Sequence, residues 1–346
     1  MIAALAKADF VDHEAPQAEW RLVHRVADAA MGRVAAVVAR ALEAAVVTQR
    51  VAERLRQDPD GAVAGVALEP MAAALMQLVW PPLEAVYRRA GDIVTRNLGR
   101  HPMQKARLGT KTRPRLGFGF DITNPSAQEW AEQQSARLVR DVTDETRDAI
   151  RGIVGDAFRN QLPPVKLAAQ LRQVIGLNRR QMDALSRKRD RWVADGLPPT
   201  QIQRLVQREH QTALRYRSMN IARTEVMNAS NSGQLEAWRQ ARSAGLLSPK
   251  LVKQFVVTPD DRLCPVCAPL DGEQRELDRA FSFGGQNPPV HPSCRCAVGM
   301  ALPKTRELTD ADILSRGAAD YPIANTSGTD TLARHTGPDG LTPERR

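Results

Sequence analysis

Every cysteine in this 346-residue chain falls in one short stretch, as Cys264-Pro-Val-Cys267, a loop, then His291-Pro-Ser-Cys294-Arg-Cys296. Thiolates and imidazole suit a borderline-soft cation, and a C-x-x-C pair on a tight turn sets two sulfurs along one edge of a tetrahedron. A second Cys/His group closes such a site, so the spacing predicts a bound zinc ion. Five donors for four positions leave no open place for a substrate water, and the expected ion is therefore structural, not catalytic. Which four ligate stays open, because Cys294 and Cys296 point to opposite faces if their segment is extended, leaving one as a buried thiol. A disulfide formed after lysis and plain core packing are the alternatives to metal. His291 precedes a proline, which biases its backbone to an extended shape that suits either a ligand or an ordinary turn.

Nothing else in the chain joins this cluster to make a reaction centre. His210 falls on a long helical run and His335 near the C-terminus, so no second histidine accompanies His291 as base or ligand. G-x-S-x-G, P-loop and H-E-x-x-H patterns are not found. The expectation is a protein that is not an enzyme.

The elements that must hold the cluster are mostly helices. Aromatics are only 4% of a composition rich in alanine, which favours helix over a large sheet. The expected fold is mainly α with a small α+β C-terminal module of short strands around a structural zinc site. Apolar spacing predicts an N-terminal helical domain over 1–97, with one or two helices from Asp12 to Arg56, a turn at Asp58-Pro59-Asp60-Gly61, and a helix from Pro70 to Asn97 bent at Trp80-Pro81-Pro82. A central helical domain over 124–249 opens on the cap Asn124-Pro125. It continues through a short helix after Pro163-Pro164 that Gly176 ends, a basic helix from Arg179 to Ala194, and a long helix from Thr200 to Ala244. The long helix carries a narrow small-residue stripe and a Gly233 that offers a bend or a close backbone approach.

The period changes only after Pro249. Lys253–Thr258 and Ala297–Leu302 read as strands of a Cys/His module over 250–304, whose few large apolar residues make an ion attractive as a substitute for core. A loosely ordered tail is expected over 305–346. No apolar run reaches the length of a membrane span, and Asp9 and Asp12 interrupt the start before a signal-peptide core forms, so a soluble chain made in the cytosol, without membrane contact, is expected.

Lysine and arginine number 49 against 39 acids, a formal charge of +10. Between 98 and 123 the chain reads as an exposed basic linker, with Arg100, Lys105, Arg107, Lys111, Arg113 and Arg115 and no acid before Asp121. Its two readings are a non-specific contact with double-stranded DNA or an acidic partner, and a plain connector.

The run Phe255-Val-Val-Thr-Pro-Asp-Asp-Arg-Leu-Cys264-Pro-Val-Cys267-Ala-Pro-Leu-Asp-Gly272, followed by Pro288-Pro-Val-His291-Pro-Ser-Cys294-Arg-Cys296, resembles the signature of the phage Mu F-like head morphogenesis family. Upstream, Ile221-Ala-Arg223-Thr224-Glu225 is similar to the helix that precedes the cysteine module there, and the likeness covers about 124–302. The resemblance implies a low-copy structural protein of the virion head that associates with the portal protein during assembly, with major capsid or scaffolding protein as further partners and a role in packaging or ejecting DNA. The competing reading is a zinc-containing nucleic-acid-binding protein or a phage nuclease without a structural head role.

Residues two apart on a helix lie about 200° apart, so Arg223 and Glu225 cannot share a face, whereas Thr224, Asn228 and Asn231 can. A polar strip beside Ala222 and Val226 is expected to be partly buried and to need partners. Arg223, Thr224, Glu225 and Asn228 are accordingly the expected docking residues between this helix and the loops of the metal module.

Overall fold

Two asparagines start helices in a computed structural model of the protein. Asn124 accepts from the backbone N–H of Ser126 at 3.1 Å with Pro125 behind it. Asn178 and Gln181 form a reciprocal capping box. The structure describes residues 14–47, 66–98, 118–159, 171, 173, 176–247, 250–258 and 264–301. The helices are α1 (Glu14–Leu42), α2 (Glu69–Ala74), α3 (Trp80–Asn97), α4 (Pro125–Arg159), α5 (Arg179–Ala194) and α6 (Pro199–Ser243). The strands are β1 (Val46–Val47), β2 (Val66–Ala67), β3 (Val252–Val256), β4 (Gln274–Arg275) and β5 (Ala297–Ala301).

The chain is thus mainly helical with a small sheet near its C-terminus. Strand order there is β4-β3-β5, all antiparallel, with Gln254 opposite both Gln274 and Gly299. Among the described residues no helix is long and apolar enough to cross a membrane.

Three expectations are corrected. The first helix does not reach Arg56: it ends at Leu42, and Val46–Val47 pairs antiparallel with Val66–Ala67. The β-branched run Val46-Val47 is better suited to a strand than to another helical turn. The bend near Trp80-Pro81-Pro82 takes the form of a π-helical segment, Leu75–Val79, in which the Trp80 N–H reaches back five residues to Leu75. Pro81 and Pro82 supply no N–H of their own, so the wider turn precedes them. A third strand, β4, joins the C-terminal sheet inside what reads in the sequence as a loop. The basic residues Arg100, Lys105, Arg107, Lys111, Arg113 and Arg115, the Pro163-Pro164 helix start and the tail over 305–346 lie outside the described residues.

The chain divides into two units of interleaved segments. One comprises the described residues of Met31–Pro82 and Trp130–Ala222. Its interior contains a buried arginine: Arg217 donates to the Gly176 carbonyl at 2.7 Å, to Thr146 Oγ1 at 3.2 Å and to Glu145 Oε2 at 3.0 Å. Gly176, at φ +80°, turns the chain beside Leu42 and Leu214, where only a glycine takes that backbone without strain.

The other unit comprises the described residues up to Ala30, those of Leu83–Glu129 and those from Arg223 to Ala301, and it holds the cysteine cluster. Its apolar core runs from Val94 of α3 and Leu98 just beyond it through Leu235 and Trp238 of α6 to Phe255, Leu270, Leu277 and Phe281, with Cys267, Cys294 and Cys296 among them. The Cys/His module is therefore built onto helices and shares their core. Gly233 allows the close backbone approach: a Cβ there would stand 2.2 Å from the Tyr87 carbonyl oxygen of α3. The helix runs through Gly233 unbroken.

Candidate metal centre

Both halves of the cluster are tight turns fixed by their own backbone. The N–H groups of Cys267 and Ala268 donate to the Cys264 carbonyl at 3.1 and 3.0 Å, and the Cys267 N–H also faces Cys264 Sγ at 3.3 Å. This folds C-P-V-C so that both thiols point the same way. In the second half the Cys294 N–H donates to the His291 carbonyl at 3.1 Å, and Ser293 sits at φ 60°. Thr224 of α6 steadies that turn by accepting from the Ser293 N–H at 2.9 Å.

The side chains converge. His291 Nε2 lies 3.0 Å from Cys264 Sγ and 3.3 Å from Cys267 Sγ, and Cys267 Sγ lies 3.8 Å from Cys294 Sγ. Two triads with all ligand atoms within 4.8 Å of one another result, Cys264–Cys267–His291 and Cys267–Cys294–Cys296, sharing Cys267. Cys294 and Cys296 do not face apart, since the segment turns at Ser293 and becomes strand only at Ala297. Regular alternation does not apply to a turn.

These distances can be tested against an ion. Zinc–sulfur bonds of about 2.3 Å arranged tetrahedrally put sulfurs about 3.8 Å apart, and sulfur and nitrogen about 3.6 Å apart. The Cys267–Cys294 separation already matches, and the two contacts to His291 need only a few tenths of an ångström of widening. The Cys/His groups could hold a metal ion, and their chemistry suits a soft or borderline one.

The imidazole is oriented for the task. His291 Nδ1 is 2.8 Å from the Pro292 carbonyl oxygen, which can only accept, so Nδ1 carries the proton and Nε2 faces the sulfurs. Hydrogen bonding from Cys267, with help from His291, overcomes burial and pushes the Cys264 thiol down to about 4. Burial pulls His291 down, but the Cys264 hydrogen bond and the charges on Cys294 and Cys264 raise it to about 9. Hydrogen bonds from Cys267 and Cys296 hold Cys294 below the usual thiol range as well. A thiolate–imidazolium cluster of this kind exchanges its proton for a cation.

Of the four expected docking residues of α6, Thr224 meets the module through Ser293 and Asn228 approaches Asn287. Asn228 Oδ1 accepts from Ser232 Oγ at 3.3 Å and lies 3.5 Å from Asn287 Nδ2, while Arg223 and Glu225 are half-buried. The strongest ties come further along. Asn231 donates to the Cys296 carbonyl at 3.3 Å and accepts from the Val298 N–H at 2.9 Å, and Gln234 donates to the Val298 carbonyl at 2.7 Å. Asn231 lies on the Thr224–Asn228 face and so was within reach of the spacing argument. Gln234 was not.

The N-terminal helix also reaches the site, which nothing in its sequence announces. Trp20 Nε1 donates to the Arg295 carbonyl at 3.1 Å, His24 Nε2 approaches the same oxygen at 2.7 Å, and Glu19 accepts from the Met300 N–H. A buried lysine, Lys253, is a further surprise: its Nζ donates to the carbonyl and the Oε1 of Gln286, both at 2.7 Å.

Comparison with known proteins gives one match. No curated protein and no solved structure matches the chain. Residues 189–299 match the family model for Phage Mu protein F like protein, a span that takes in α6, β3, β4 and all four cysteines. Over that span the chain is similar to the Phage Mu F-like family.

Proposed function

We propose that this protein is a structural, non-enzymatic component of a phage head, present in low copy and held at the portal, and that a zinc ion staples its C-terminal module. The family match over residues 189–299 carries the reading, because it spans the cysteine cluster and the helix that docks on it. Portal association, contact with capsid or scaffolding protein, and a part in DNA packaging or ejection belong to the proposal.

Zinc would be held by four of Cys264, Cys267, His291, Cys294 and Cys296, with Cys267 common to both possible triads. Its chemistry there is charge compensation and cross-linking: it neutralises thiolates packed side by side and ties the turn at Cys264 to the turn at Cys294. With all positions filled by protein ligands it offers no site for a reacting water.

The test is to express the protein with its cognate portal and to analyse purified particles. Co-purification with portal rings and presence in mature heads support the reading. A protein that ignores portal rings and is missing from particles refutes it. Elemental analysis of purified protein tests the ion separately.

A further inference from the structure

Several surface arginines of the unit that holds α4, α5 and the first part of α6 pair with carboxylates on their own helix. On α4, Arg147 pairs with Asp144, Arg151 with Asp148 at 3.0 Å, and Arg140 stands 4.0 Å from Asp141. On α5, Arg179 pairs with Asp183 at 3.1 Å. Acids stand among the arginines on both helices, with exposed Asp190 lying between Arg187 and Arg191 on α5.

The outer face of α6 is different. Arg204, Arg208 and Arg215 are exposed, and none makes an ion pair or a guanidinium hydrogen bond among the described residues. At 100° per residue the offsets of four and eleven place the three within about 40° of one another, opposite buried Val206 and Ala213. The row spans about 16 Å of helix. No exposed position from 199 to 219 is a carboxylate. The one acid there, Glu209, is half-buried and paired with Lys188 at 2.8 Å. Glu43 borders the face and is engaged by Gln211 at 3.3 Å.

We infer that this arginine row on α6 is a contact surface for the phosphate backbone of double-stranded DNA. A duplex presents negative charge of one sign at about 3.4 Å intervals per strand, so a row of this length meets several phosphates. Guanidinium forks donate pairwise to phosphate oxygens, and exposed Gln201 and Thr212 are neutral groups of the kind that add backbone contacts. A positive row whose neighbouring carboxylate, Glu43, is already engaged by Gln211 matches a uniform polyanion better than a protein surface of mixed charge. The contact reads no bases and is independent of sequence. It uses a surface separate from the cysteine cluster and does not rest on the head-protein reading. A protein that binds DNA here but is missing from particles would sink that reading alone.

The experiment measures binding of the full-length protein to short duplexes of unrelated sequence across a salt series. The variant R204Q/R208Q/R215Q removes the row, and R140Q/R147Q/R151Q removes equal charge from α4. The row variant is expected to lose about tenfold in affinity at low salt and to lower the salt slope by about 3, roughly one per arginine, with unchanged helical circular dichroism. The α4 variant is expected to bind as the parent does. Equal losses in both variants would show an effect of net charge and overturn the assignment. So would an unchanged slope in the row variant, or a parent that leaves DNA unbound at low salt, which would turn the face toward an acidic protein.

Discussion

His24 Nε2 stands 2.7 Å from the carbonyl oxygen of Arg295, the residue between Cys294 and Cys296. The peptide that receives this helix is thus flanked by two candidate ligands, and Trp20 shares the same acceptor at 3.1 Å. Burial holds His24 below its ordinary value of 6.5, which keeps the ring neutral and fit to donate from Nε2. Whatever fixes the two cysteines also fixes the oxygen on which α1 is seated.

Chelation should therefore loosen α1 at a distance from the metal. Amide exchange over the part of α1 near Trp20 and His24 is expected to quicken on the order of tenfold, about 1.4 kcal/mol of opening free energy, while α5 is unchanged. Equal protection of α1 with and without chelator would show that the helix is held without help from the ion.

Cys267 is common to both triads, whereas Cys296 belongs to one. Cys267→Ser should bring bound metal close to zero after dialysis, because neither triad survives. Cys296→Ser should retain near-stoichiometric metal, since Cys264, Cys267, His291 and Cys294 remain. Elemental analysis of the two variants side by side decides it. Equal metal content in both would refute the shared role of Cys267.

The cysteine cluster and the start of α4 were legible because their signals are local: spacing for Cys264 and Cys267, side-chain capping for Asn124. What escaped is set by tertiary contact. A two-residue strand such as β4 has no periodicity to read, and its existence depends on β3 being alongside. Trp20 and His24 meet Arg295 across more than 270 positions, beyond any pattern argument. The idea that zinc substitutes for missing core also needs revision. Trp238 and Leu235 supply core to the module from α6, so an ion bound there would add to an interior that is already packed.

Gly233 and Gly32 form a matched pair for testing close packing. A Cβ at Gly233 would lie 2.2 Å from a backbone oxygen, Tyr87 O, which cannot swing aside as a side chain can. One at Gly32 meets nothing within 4 Å. Gly233→Ala should destabilise by about 1–3 kcal/mol, lowering the melting temperature by about 2–4 °C per kcal/mol. Gly32→Ala, inside α1, should stabilise by about 0.5–1 kcal/mol through helix propensity. Equal melting of the Gly233 variant and the parent would mean that α3 and α6 are not in close contact there.

Lys253 offers a pH test whose sign is fixed by its burial. Its side chain is fully buried, with Nζ 4.9 Å above the Phe281 ring and hydrogen-bonded to the carbonyl and side chain of Gln286. Burial, seconded by the nearby Arg239 charge, brings it from 10.5 to about 7 despite opposing Asp278 and Glu273. Between those two values the unfolded chain holds a proton that the folded chain lacks, so stability rises with pH through that window. Below about 7 both states are protonated and the full cost of burying the charge is felt. Lys253→Met removes the titration. Its Gln286 acceptors stay exposed to water and to Arg239, which already donates to Gln286 Oε1 at 3.2 Å. The parent should therefore gain stability over the variant between neutral and mildly alkaline pH, measured as urea midpoints at both. A parent–variant difference that stays constant with pH would mean that Lys253 keeps its ordinary proton affinity in the folded protein.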